Sequence, residues 1–201
     1  MTFDSGAMLM LSVAPFALAM SLSPGPNNIM IAAIASRYGA RRTVPYLLGT
    51  LTGVTALMLA AGFGLGEFFT SWPTAHAWLK MLGVAYLLWL AWRISTSPVS
   101  SSERVQRPFG FLTAVLFQWL NPKAWMMTLG AFSIFTSVGG ELVAETVIIT
   151  LTFILAFVPA VILWTGIGLS ARHLLSSDRA IKTFNVSMGI LIAASTVTVL
   201  L

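Results

Sequence analysis

Long apolar blocks separated by short polar stretches set the pattern of this chain. A helix needs about 20 largely apolar residues to cross a hydrocarbon core about 30 Å thick. Six segments meet that requirement: Ala7 to Ser36, Thr43 to Glu67, His76 to Ser95, Phe109 to Phe135, Leu142 to Leu169 and Lys182 to Leu201. They nearly fill the chain and leave little for a soluble domain. Between them, Tyr38-Gly-Ala-Arg-Arg42 reads as a basic turn, Phe69-Thr-Ser-Trp-Pro-Thr74 as a proline break and Ser137-Val-Gly-Gly140 as a glycine turn, each a reversal at a membrane surface. The longest polar connection, Ser95 to Pro108, is rich in serine and holds Pro98 and Pro108, which favours a solvated, flexible linker.

Two of the segments are interrupted at matching places. Ser23-Pro24-Gly25-Pro26-Asn27-Asn28 cuts the first, and Gln118-Trp119-Leu120-Asn121-Pro122-Lys123 cuts the fourth. Each opens a half of three spans, and an odd number of spans makes the second half enter the membrane from the opposite side. The expected fold is therefore an all-α integral membrane protein with about six transmembrane helices in a 3+3 inverted-topology repeat, its first and fourth helices broken. Residues 1–95 form the first repeat, 96–108 a cytoplasmic linker and 109–201 the second repeat, together one membrane domain. Proline removes a helical hydrogen bond, and glycine tolerates unusual backbone angles. The freed backbone groups cannot face hydrocarbon, so such breaks belong where protein or a water-filled cavity satisfies them.

Composition agrees with lipid as the main solvent. The chain is 57% hydrophobic and only 8% charged, against about 25% charged residues in a soluble domain. Its net charge of +5 is not gathered into a basic patch, which argues against a nucleic-acid partner. Arg37, Arg41 and Arg42, then Arg93, Arg104 and Arg107, then Arg172, Arg179 and Lys182 fall in alternate connections. The other side receives Lys80 with Asp4, Glu67, Glu141 and Glu145. Because cytoplasmic loops accumulate Lys and Arg, both termini are expected outside the cytoplasm. Met1 to Gly6 lacks a basic n-region and carries Asp4, so the first apolar segment is expected to be a retained span rather than a cleaved leader.

With no cysteine in the chain, thiol catalysis, disulfides and Cys-ligated metals are excluded, and the sequence calls for no cofactor. His76 and His173 fall near opposite surfaces and cannot share a metal or a triad, and no nucleophile–base pair lies at a common depth, so an intramembrane enzyme is disfavoured. The candidate chemistry lies at the breaks: Ser23, Pro24, Gly25, Pro26, Asn27, Asn28, Asn121, Pro122 and Lys123 are the expected substrate pathway. Lys123 has three readings: it attracts a substrate carboxylate, it carries a proton, or it snorkels to the interface. The asparagines either bind a zwitterion or cap the half-helices. Gly49-Thr-Leu-Thr-Gly53 reads as a close-packing face; Gly62, Gly64 and Gly66 either pack or loosen a helix end, with Gly166 and Gly168 their counterparts. Met126 and Met127 read as core filler, and Trp72, Trp78, Trp89 and Trp92 as interfacial belts.

Ser23-Pro24-Gly25-Pro26-Asn27 and Asn121-Pro122-Lys123-Ala124-Trp125 resemble the first-span and fourth-span signatures of the LysE/RhtB family of amino-acid exporters. The resemblance extends through the basic turn at Gly39 to Arg42, the third-span stretch Gly83 to Arg93, and Gly110-Phe-Leu before the second break. It implies efflux of amino acids or close derivatives, driven by the proton motive force, in the bacterial inner membrane, and it allows a homo-oligomer. Alternating access, in which the two halves rock around the breaks, is the expected mechanism. The competing readings are an inorganic cation exporter of the same superfamily and a non-transporting membrane subunit.

Overall fold

A computed structural model describes residues 3–65, 73–96, 109–137, 141–174 and 177–200. The described residues form helices α1 (Phe3–Leu22), α2 (Pro26–Tyr38), α3 (Ala40–Ala60), α4 (Pro73–Ser95), α5 (Phe111–Leu120), α6 (Pro122–Phe135), α7 (Leu142–Leu174) and α8 (Asp178–Leu200). No strand occurs among them. Glu67, Gly66, Trp72, the linker from 97 to 108 and the turn at 138–140 lie outside the described residues, as do the side chains of His76, Lys80 and His173.

Both interruptions are present, for local reasons. Pro24 disfavours helical angles at Ser23, while Pro26 begins α2 at a position where a missing N–H costs nothing. Pro122 begins α6 in the same way, after an extended Asn121 with φ −88° and ψ 106°. The second break is narrower than expected, because Gln118 and Trp119 stay within α5 and only Asn121 leaves the helix. It lacks the second proline and the glycine of the first, and Asn121 N still donates to Gln118 O at 3.3 Å. Proline alone does not decide the outcome: Pro15, Pro45 and Pro159 sit inside α1, α3 and α7 without ending them. At about 1.5 Å per residue, α5 covers about 15 Å, half a hydrocarbon core. It needs α6 to complete a span, which places the break near mid-depth.

The burial pattern is that of a chain dissolved in lipid. Leu11, Leu116, Ile134, Leu155, Ile162 and Ile190 are exposed on the outside, whereas Thr43, Thr50, Gln118, Asn121, Thr128 and Thr146 are buried. The stretches Ser5–Leu22, Ala40–Gly64 and Leu142–Ala171 are each long and apolar enough to cross a membrane unaided. The protein is an all-helical integral membrane protein. Met126 is exposed and Met127 buried, so only the second acts as filler. Arg93 lies over the rings of Trp89 and Phe109, at 5.2 and 4.8 Å from their centroids, as an interfacial residue does.

Helix packing pairs α3 with α5, α1 and α2 with α7, and α4 with α8. The expected close-packing face of α3 is real. A side chain on Gly49 would run into the Phe111 carbonyl of α5, and one on Gly53 into the Val115 carbonyl. Gly168 of α7 lies equally close to the Ala32 carbonyl of α2, while its neighbour Gly166 faces open space. Gly62 packs beneath Thr146 and Phe132, and Gly64 takes φ 113° in the kinked stretch Ala61–Leu65 that follows α3. Packing holds at Gly62 and a loosened backbone at Gly64, whose angle only glycine adopts freely, while Gly66 lies outside the described residues.

Gly53→Ala should destabilise the protein by roughly 1–3 kcal/mol, since a backbone carbonyl cannot move aside without its helix. Gly166→Ala should be neutral or stabilise by up to about 1 kcal/mol through helix propensity. Thermal unfolding of the two purified variants in detergent checks the difference, and equal midpoints would contradict this packing.

Candidate functional site

The first span stops being helical at Ser23, and the carbonyls it frees set the local chemistry. Ser23 bonds back into the last turn of α1, its N donating to Ala19 O at 3.1 Å and its Oγ to Met20 O at 2.9 Å. The remaining carbonyls take donors from other elements. Asn28 Nδ2 donates to Ser21 O at 2.7 Å and to Ser23 O at 2.9 Å. Trp164 Nε1 of α7 donates to Leu22 O at 3.1 Å. Lys123 Nζ of α6 donates to Ser23 O at 2.9 Å, Ser23 Oγ at 2.7 Å and Pro24 O at 3.2 Å. Gly25 O accepts from Ile29 N at 3.0 Å, so every carbonyl from Ala19 to Gly25 has a donor.

Lys123 therefore turns inward across the other break rather than towards the interface. A charged side chain at this depth costs about 2.5–3.5 kcal/mol on insertion scales, and charge-assisted bonds to the open end of α1 offset that cost. Gly25 makes the crossing possible. A Cβ there would fall 2.7 Å from Lys123 Cδ, so the requirement is for space; its φ of −173° is ordinary extended backbone.

A second link joins the halves. Asn27 Oδ1 receives Gln118 Nε2 of α5 at 3.1 Å, Thr50 Oγ1 of α3 at 3.1 Å and Tyr46 Oη of α3 at 3.3 Å. Of the two readings of the asparagines, the hydrogen bonds bear on capping. Asn121 caps α6, its Oδ1 accepting from Lys123 N at 3.2 Å. Asn28 closes the end of α1, and Asn27 ties α2 to α3 and α5. No side chain caps α2 at Gly25, so its first amides point into the break with the positive end of the helix dipole.

These groups surround a small cavity of about 60 Å³. Ser21, Asn27, Asn28, Thr50, Gln118, Asn121 and Lys123 supply a polar wall. Met20, Leu51, Val54, Met127, Phe153, Ile154 and Phe157 supply an apolar one. Among the described residues that line it, Lys123 is the sole charge. Of the nine residues expected on the pathway, Gly25, Asn27, Asn28, Asn121 and Lys123 line the cavity. Ser23 and Pro24 act through Lys123 just beyond it, and the buried Pro26 and Pro122 serve only to start their helices.

Sequence reasoning missed Tyr46, Thr50 and the apolar wall, and it took Gln118 only as part of a break. One signal was legible: Tyr46 and Thr50 are four residues apart, hence on one face of α3. Nothing local marks Phe153 or Phe157 among the many apolar residues of α7. Glu145, expected at the outer surface, is buried at 4% exposure and accepts from Ser137 N at 3.2 Å.

A family model for LysE type translocators matches residues 18–201. A cysteine/O-acetylserine efflux protein of Salmonella typhimurium is 33% identical over 129 residues, covering 64% of this chain and 66% of the relative. A protein of the same name from Escherichia coli strain K12 is 31% identical over 121 residues, covering 60% and 62%. The chain thus spans less than two thirds of the length of the curated relatives it matches. No solved structure matches it. The family match runs through both broken spans and over more than half of the sequence, and the chain belongs to the LysE type translocator family.

Proposed function

We propose that this protein exports small amino acids with uncharged side chains, or close derivatives, across the bacterial inner membrane by alternating access. The observation that carries the reading is a cavity at the meeting of two helix breaks, with one hydrogen-bonding wall and one apolar wall. Such a cavity matches a zwitterionic head on a short apolar body. A cationic side chain would find Lys123 beside it and no carboxylate among the described lining residues. The matched relatives named for cysteine and O-acetylserine efflux support a small neutral cargo.

In this mechanism the two halves form an inverted repeat and rock about the breaks, opening the cavity to one side and then the other. The Lys123 and Asn27 links sit at the pivot, where movement is least and a bond between halves survives the swing. Both termini lie on the periplasmic side, and inward proton movement drives the cargo outward. Lys123 supplies a positive potential for the substrate carboxylate while its own protons hold the end of α1.

Counterflow in proteoliposomes loaded with unlabelled amino acid tests this. Labelled cysteine, O-acetylserine and other small neutral amino acids should accumulate, and labelled lysine should not. Accumulation no greater than in protein-free liposomes for every amino acid would overturn the proposal. Lys123→Ala should lower the counterflow rate by about 10-fold or more, since it removes the charged side chain that lines the cavity and its charge-assisted bonds to the end of α1. Uphill export should collapse when a protonophore dissipates the gradient.

A further inference from the structure

Asn27 and Asn28 are neighbours in sequence and both line the cavity, yet their side chains are bonded in opposite senses. The two Nδ2 protons of Asn28 are directed at the carbonyls of Ser21 and Ser23. A carbonyl can only accept, so the amide orientation of Asn28 is fixed and its Oδ1 is left as the free pole. Asn27 is fixed the other way, through one intermediate. Gln118 Nε2 donates to the Ala114 carbonyl at 3.3 Å, which settles the orientation of Gln118. The same nitrogen then donates to Asn27 Oδ1, where the hydroxyls of Thr50 and Tyr46 also converge. The Asn27 oxygen is thus engaged by protein, and its Nδ2 is the free pole.

We infer that Asn27 and Asn28 read the two ends of an α-amino acid head group, the Asn27 Nδ2 protons donating to the α-carboxylate and Asn28 Oδ1 accepting from the α-ammonium. This rests on the export reading and assigns the groups that recognise its substrate. The environment has matching polarity. The uncapped first turn of α2 and the Lys123 ammonium favour an anion beside Asn27. Thr50, Tyr46 and Gln118 are positioning residues, which act by preventing the Asn27 amide from turning over. A flipped amide would aim its nitrogen at the Gln118 Nε2 donor and force both hydroxyls to turn over.

The test compares recognition of the head group by parent and Asn27→Asp proteins. Counterflow of a labelled neutral amino acid is competed with the unlabelled acid, its C-amide and its N-acetyl derivative. The parent should be inhibited by the acid and little by either derivative. Asn27→Asp keeps an oxygen for the three donors but presents an acceptor to the cavity. The preference for acid over C-amide should fall by about 10- to 100-fold, the range of one charge-assisted hydrogen bond. Rejection of the N-acetyl derivative should persist, because Asn28 is untouched. If Asn27→Asp is not monodisperse in detergent, Thr50→Val carries the test, with a smaller loss of acid-over-amide preference in the same direction. Unchanged acid-over-amide preference in a folded variant, or equal loss of both preferences, would overturn the assignment while the parent still transports. Failure of the parent to exchange any amino acid would instead overturn the export reading and this assignment with it.

Discussion

A carbonyl released by a broken helix cannot be left bare in a membrane, and this requirement organises the centre of the protein. The end of α1 releases its carbonyls at a depth where lipid offers no donor. Asn28 from the next helix, Trp164 from α7 and Lys123 from α6 supply what water would supply elsewhere. Each unmet carbonyl would cost about 1–3 kcal/mol. The need to pair them therefore draws three elements, distant in sequence, onto one short stretch of backbone. The glycine at position 25 is part of the same requirement, since any larger residue would hold the lysine away.

The cavity follows from that arrangement. Two interrupted spans leave room between them, and the side chains that repair their ends are polar. The apolar part of the lining comes from Leu51 and Val54 of α3 and Phe153, Ile154 and Phe157 of α7, together with Met20 of α1 and Met127 of α6. The family to which the chain belongs moves solutes rather than remaking them, and this pocket offers binding groups with no nucleophile–base pair among its described lining residues.

The two breaks differ in how much they leave unsatisfied. Asn121 caps its own helix and interrupts the chain for a single residue. The first break runs from Ser23 to Gly25 and leaves α2 without a side-chain cap. The open positive pole of a helix is therefore on one side of the cavity only. That asymmetry originates in the extra Pro-Gly of the first break, a difference of a few residues between otherwise corresponding segments.

The sequence by itself determined the apolar helices and the sites of interruption, because each depends on neighbours along the chain. Run length decides whether a helix can cross lipid, and a proline's missing N–H with its clash against the preceding residue acts within one turn. It could not separate Pro15, Pro45 and Pro159, which bend or pass, from Pro24 and Pro122, which break, without the adjoining glycine, second proline or asparagine. Only the tertiary structure decided what the polar residues do. Gln118 meets Asn27 across 91 positions, Lys123 meets Ser23 across 100, and Trp164 meets Leu22 across 142. The orientation of an amide and the destination of an ammonium depend on which donors and acceptors arrive from remote helices, and no local pattern carries that information.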